Sequence, residues 1–215
     1  MRGDPIFDAF FATFIPLTSN ASREELSMRA DGCDLLSRIG PSFLISHSYG
    51  AQFATAISDQ CPDLVVGSIN VEPANTPFVS FVSGSAFARP YGLTATPITY
   101  DPPVTSPSDL HTVSVGEDSP ALHSCVQQVA PARQLPNIAK VPYLALTGEG
   151  SIHITVDHCV INYLKQCGAK PDWIKLADIG IHGNGHFMFL EKNNLEIAAV
   201  VNKWIKQHNG KSNGD

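Results

Sequence analysis

Phe43-Leu44-Ile45-Ser46-His47-Ser48-Tyr49-Gly50-Ala51 is the stretch whose reading decides the fold. A short apolar run, long enough for a buried strand, passes through Ser-His-Ser-Tyr-Gly. It then enters a series of small residues that reads as a helix to about Gln60. This is the G-x-S-x-G elbow pattern, with Ser46 standing at the first glycine. A serine at the centre of such a strand-to-helix turn is held in a strained backbone conformation. Residues two before and two after it must be small where strand and helix cross, and Ser46 and Gly50 meet that demand. The helix N-terminus aims at the same point, so the backbone N–H of Tyr49 can meet a developing oxyanion. Ser48 is therefore the candidate nucleophile, against the plainer reading of a serine in an ordinary strand–helix turn. His47 is too close in sequence to act as its base and is expected to flank the pocket or pack.

Working outward, Ser22-Arg23-Glu24-Glu25 reads as a capping box. It opens a helix with Leu26, Ala30, Cys33 and Leu36 inward, ended by Ile39-Gly40-Pro41. Residues 65–71 are β-branched and read as a buried strand, and residues 141–147 and 173–176 as two more. Residues 156–166 form a helix ahead of Gly168, and Asn193-Asn194-Leu195-Glu196 caps a last helix carrying Ile197, Val201, Trp204 and Ile205. Strands alternating with helices predict an α/β fold, a mostly parallel sheet covered on both faces. Between Pro73 and Pro142 the prolines recur too densely for long helices or central strands. The chain is thus expected to be one domain over 1–215 with a cap or lid insertion over 73–142. Phe78, Phe81, Phe87, Tyr91 and Tyr100 in that insertion favour an apolar pocket, and residues 209–215 read as a polar, frayed tail.

Composition excludes several classes of function. With 43% hydrophobic and 16% charged residues in 215, the chain has enough apolar surface to bury a core. A net charge of −6 argues against nucleic acid as a partner. No run approaches the ~18 apolar residues of a membrane-spanning helix, so no membrane partner is expected. The five cysteines (Cys33, Cys61, Cys125, Cys159 and Cys167) are widely spaced, without a CxxC pair. They read mostly as small buried hydrophobes, with one or two disulfides only in an exported chain. Asp4 and Asp8 interrupt the apolar N-terminus and Arg2 is its only base, which does not fit a signal peptide. The expected location is cytoplasmic by default, and the Asn20-Ala21-Ser22 sequon matters only in a secreted protein.

A serine nucleophile needs a base and an acid to orient it. The place after the last strand and ahead of the last helix holds His182-Gly183-Asn184-Gly185-His186. His186 is favoured because the apolar Phe187-Met188-Phe189-Leu190 that follows can anchor its loop; His182 is the second choice. Their i, i+4 spacing suits a metal only on a helix, which Gly183 and Gly185 oppose, so no metal site is expected. His111, His123, His153 and His158 read as surface or packed histidines. In Gly148-Glu149-Gly150-Ser151, where an acid commonly follows the penultimate strand, the expected position holds Ser151. Glu72 instead closes an apolar strand, 24 residues beyond Ser48, where a carboxylate is costly to bury without a role. Glu72 is the candidate acid, with Glu149 and Asp157 as substitutes.

Together these pieces resemble the α/β-hydrolase superfamily serine esterases, in the microbial branch whose triad acid is a glutamate after the sixth strand. The resemblance is carried by Gly3-Asp4-Pro5-Ile6-Phe7, Ser46-His47-Ser48-Tyr49-Gly50, Pro62-Asp63-Leu64-Val65, Val71-Glu72-Pro73, Tyr100-Asp101-Pro102-Pro103, Thr147-Gly148-Glu149 and His182-Gly183-Asn184-Gly185-His186. It implies Ser48 as nucleophile, Glu72 as acid, His186 as base, no cofactor, a small-molecule ester or lactone as substrate, and 73–142 as a cap. Only about 45 residues precede Ser48, room for one helix and one strand where such folds have about four strands. The first strands, and the loop giving a second oxyanion N–H, are expected to be missing, with Met1 an internal start and the elbow strand at a sheet edge. Two functions stay open on the sequence: an esterase, or a weakly active or non-catalytic remnant.

Overall fold

The computed structural model describes residues 2–14, 20–80, 89–117, 119 and 121–209. Phe81, Phe87 and the tail beyond Asn209 lie outside the described residues. The elements in chain order are α1 (Pro5–Phe11), α2 (Ala21–Ile39), β1 (Ser42–His47), α3 (Gly50–Gln60), β2 (Val65–Val71), β3 (Thr112–Val115), β4 (Cys125–Gln128), β5 (Tyr143–Thr147), α4 (Asp157–Gln166), β6 (Asp172–Lys175) and α5 (Asn194–His208). Strands β1, β2, β5 and β6 form one sheet in that order, every pair parallel, and β3 and β4 form a separate antiparallel ribbon. This is an α/β arrangement, a parallel four-stranded sheet flanked by helices.

Period-two alternation assigns the faces. Ile69 and Leu144, paired across β2 and β5, pack with Trp204 of α5. Tyr143 and Ala145 point the other way, onto Val160, Ile161 and Leu164 of α4. Gly67 lets α5 close down on the sheet: a Cβ there would stand 2.9 Å from the Trp204 ring and 3.0 Å from Phe43. Phe78, Leu93, Ile98, Tyr100, Leu110, Leu135 and Ile138 of the proline-rich segment are buried in the same cluster as α4. Phe78 meets Tyr163 edge-on, and Tyr100 Oη lies 2.7 Å from Tyr163 Oη. These two aromatics are therefore core, where the sequence suggested a pocket lining.

Strand β1 lies at the sheet edge. Phe43 and Leu44 are half-buried, but Ile45 is 63% exposed. Ile45 faces an apolar groove of about 520 Å³ shared with Val71, Leu146, Phe189, Leu195 and Val201. No helix among the described residues is long and apolar enough to cross a membrane.

Two local expectations are corrected. Helix α2 starts at Ala21, capped by Asn20, whose side chain accepts the Arg23 N–H; the Ser22–Glu25 box does not form. Glu25 is instead fully buried and receives the N–H groups of Ala95 and Thr96, and Leu26 points to solvent. The cysteines are corrected as well: Cys33–Cys61 and Cys125–Cys159 are disulfides, leaving Cys167 as a buried thiol. Burial pushes the Cys167 thiol up to about 12. The first bridge ties α2 to the end of α3, and the second ties β4 to α4.

Candidate active site

The register of the sheet brings the site together. His47 pairs with Val71, and Val71 with Leu146, on one rung. Each strand then continues by one residue, to Ser48, Glu72 and Thr147. Ser48 N–H donates to Val71 O at 3.0 Å, and Glu72 N–H to Leu146 O at 2.9 Å. Three strands therefore deliver three polar side chains at the same level of the sheet's C-terminal edge, where ligands of open α/β sheets bind.

Both Ser48 and Glu72 have a left-handed backbone, with φ of 54° and 53°. For a residue with a Cβ this costs on the order of 1–3 kcal/mol and survives only where surroundings enforce it. At Ser48 it turns strand into helix. Tyr49, the N-cap of α3, keeps its N–H in the first turn, where no helical carbonyl can accept it. The crossing is less tight than the pattern requires: a Cβ on Gly50 would sit 3.7 Å from Ser46 Cβ, an ordinary contact. Ser46 does more than stay small, since its hydroxyl donates to Asn70 Oδ1 at 2.8 Å.

His186 Nε2 lies 2.9 Å from Ser48 Oγ, and His186 Nδ1 lies 3.1 Å from Glu72 Oε2. Glu72 is fully buried, and its carboxylate also accepts Gly148 N–H at 2.7 Å and the Ser151 hydroxyl. Ser151, at the position where an acid was expected, thus donates to the carboxylate at the end of the neighbouring strand. The loop carrying His186 is pinned from behind. Asn184, 1% exposed, makes reciprocal side-chain bonds with Asn193 at 2.8 and 3.0 Å and donates to Glu191, which also accepts Gly185 N–H.

The other candidates lie elsewhere. His182 is exposed, its Nδ1 3.1 Å from Glu149 Oε2, and Glu149 also accepts Gly183 N–H. The Gly183 N–H, and His182 after it, lower the Glu149 carboxyl below its usual range. Neither residue contacts Ser48 among the described hydrogen bonds. Asp157 is buried and bonded to His153, with Nδ1 2.9 Å from Oδ1. His47, half-buried, sets its ring against His186 (centroids 4.5 Å) and its Nε2 2.8 Å from His186 O. Burial depresses the His47 pKa, so the neutral ring donates its Nε2–H to that carbonyl.

Sequence reasoning missed His153. It is 2% exposed and lies flat on His186, with centroids 4.9 Å apart and planes within 3°. The signal that could have found it is the four-residue spacing from His153 to Asp157 at the start of a helix. Glu72, His153 and His186 each offer a donor atom within 4.8 Å of the others, which is also a spacing a metal could use. In this arrangement the Nδ1 atoms of both histidines face carboxylates, which suits proton relay.

No protein-family model matches the chain. It is 39% identical over 206 residues to a protein named probable secreted lipase phiG from a fungal species (strain ATCC 74256). The match covers 95% of this chain and 57% of that protein, so the chain spans little more than half the length of this relative. Among solved structures, it is similar to a monoacylglycerol lipase from Paleococcus ferrophilus (TM-score 0.46, 16% identity, 88% of this chain and 76% of that one). A pyrethroid hydrolase from Sphingobium faniae gives a TM-score of 0.44 at 17% identity, over 80% and 74%. The cytoplasmic expectation is overturned: the chain carries two disulfides, which persist in oxidising compartments, and the relative is named a secreted protein. The chain has a parallel α/β sheet and, over 95% of its length, is similar in sequence to a protein named a probable secreted lipase.

Proposed function

We propose that the chain is a serine hydrolase that cleaves carboxylic esters, lipid esters included, through an acyl-enzyme on Ser48. The observation that carries this is the unbroken chain of contacts Ser48 Oγ–His186 Nε2 and His186 Nδ1–Glu72 Oε2, at 2.9 and 3.1 Å. His186 removes the Ser48 proton as Oγ attacks the ester carbonyl, and Glu72 holds the imidazole in the tautomer that can accept it. The Tyr49 N–H meets the oxyanion. The tetrahedral intermediate collapses, His186 protonates the leaving alkoxide, and a water activated by the same base releases the acid. The segment 73–142 acts as the cap bordering the site, and the disulfides suit a protein working outside the cell.

Labelling with a fluorophosphonate and turnover of a p-nitrophenyl ester test this reading on the chain as given. Labelling and turnover by the parent, both abolished in Ser48→Ala, are expected. A parent that folds cooperatively yet neither labels nor hydrolyses refutes it and favours the non-catalytic remnant.

A further inference from the structure

The imidazole of His186 is backed by a second carboxylate–imidazole pair that the reaction above does not use. His153 is buried, and its ring lies parallel to that of His186 at 4.9 Å. Its Nδ1 is 2.9 Å from Asp157 Oδ1. The other Asp157 oxygen accepts the hydroxyl of Thr147. That hydroxyl also accepts the Trp173 indole N–H at 2.9 Å, which leaves its own proton for Asp157. Asp157 therefore faces two donors, the pattern that suits a carboxylate rather than a carboxylic acid. Burial pushes its pKa up, and the bonds from His153 and Thr147 draw it back.

The pair also shares a frame with Glu72. Thr147 immediately precedes Gly148, whose N–H bonds Glu72, and Ser151, which donates to Glu72, accepts His153 N–H at 3.2 Å. Any shift of the buried pair is thus felt by both neighbours of the base.

We propose that His153 and Asp157 are positioning residues for His186, forming a second arm of net negative charge that steadies the base in one plane and supports the imidazolium it becomes. The proposal rests on the reading of His186 as the general base. With its Nδ1 against the Asp157 carboxylate, the His153 ring presents to His186 a face backed by negative charge, the kind of surface that attracts a cation. The flat stack also limits rotation of His186 away from the line between Ser48 and Glu72. The titratable groups facing His186 are His47 from the elbow, Glu72 from the end of β2, and His153 with Asp157 from the start of α4. Tyr143 of β5 faces Asp157 electrostatically. Burial keeps His47 neutral near pH 7, so it adds no second cation against the ring.

The test is Asp157→Asn, which keeps the shape and removes the charge. With less negative charge behind it, His186 loses its proton more readily, so the acid limb of kcat/KM moves to lower pH. A shift of about half a unit to one unit is expected, a three- to tenfold change in proton affinity. The plateau kcat falls while KM for a p-nitrophenyl ester stays level. The same shift is expected in the His186 ring titration followed by NMR in a Ser48→Ala background, a readout that needs no turnover. Should Asp157→Asn fail to melt cooperatively, His153→Gln carries the test, since its amide still donates to Asp157 while the stack is lost. A lower kcat with unchanged KM is expected there. If the variant that folds leaves the His186 titration and the pH profile unmoved and only the Tm falls, the pair is scaffolding and the proposal is overturned. Absence of turnover in the parent, with the NMR shift present, would refute the esterase reading while showing that the pair is coupled to His186.

Discussion

Removing the Cys33–Cys61 bridge tests how much of this fold's stability comes from constraining the unfolded chain. The two cysteines are 28 residues apart in sequence and join α2 to the end of α3. Around them Leu36, Ile57, Val65 and Val141 pack with half-buried Leu44 and Leu64 under the edge strand. Loop-closure entropy for that separation is worth about 3.6 kcal/mol at 25 °C. For a chain of this size each kcal/mol moves the melting midpoint by roughly 2–4 °C, so the bridge is worth roughly 7–14 °C. The perturbation is Cys33→Ala with Cys61→Ala; both positions are only half-buried, so the change leaves no large cavity. The assay is thermal unfolding by calorimetry or circular dichroism, parent against double variant, without reductant. Cys125–Cys159, 34 residues apart, should cost nearly the same, about 3.8 kcal/mol, when removed in the same way. A double variant melting within 2 °C of the parent would refute the reasoning. So would a large disparity between the two bridges, which would make local packing the source of their value.

Two further outcomes are expected. Glu72→Gln sets an amide against His186 Nδ1, Gly148 N–H and the Ser151 hydroxyl, three groups matched to a carboxylate, so kcat should fall about 10³–10⁴-fold by spoiling the tautomer. A loss under tenfold in steady-state hydrolysis would remove Glu72 from the proposed triad. Because the folded-state pKa of His47 is depressed by burial, the unfolded chain binds its proton first as pH falls below about 6.5. Stability from this group is therefore present above that pH and lost below it. Urea midpoints at pH 7.5 and 5 should differ less in His47→Asn than in the parent, and equal differences would contradict the sign.

Local pattern made part of this molecule legible. The elbow needs only neighbours in sequence, and β1, β2 and α3 follow from runs of apolar and small residues within 30 positions of Ser48. The last helix was read for the same reason, as Ile197 and Trp204 recur at helical spacing onto the sheet. What was misread depended on long-range pairing. Glu24 and Glu25 look like capping residues until Thr96, 71 residues later, arrives to receive Glu25. Wide spacing made the cysteines look unpaired, yet α2 against the end of α3, and β4 against α4, bring residues 28 and 34 apart into contact. His153 read as a surface or packed histidine, and its contact with His186, 33 residues away, is announced by nothing adjacent to it in sequence.

The proposed acid, Glu72, follows β2 rather than β5, and its carboxylate still stands 3.1 Å from His186 Nδ1. The register sets Val71 beside Leu146, so Glu72, the residue after β2, stands level with Thr147, the last residue of β5, and its carboxylate reaches the loop that follows β5. Gly148 approaches so closely that a Cβ there would lie 2.3 Å from Asn184 O and 3.3 Å from Glu72 Oε1. Its N–H, freed of side-chain bulk, bonds the Glu72 carboxylate directly. The Asn184 carbonyl it nearly touches accepts the N–H of Gly150 at 2.8 Å, binding the loop after β5 to the loop that carries His186. A glycine after β5 thus serves both partners of the proposed acid–base pair. By the same close approach, it makes the strand end that lacks the acid as restrictive in sequence as the one that holds it.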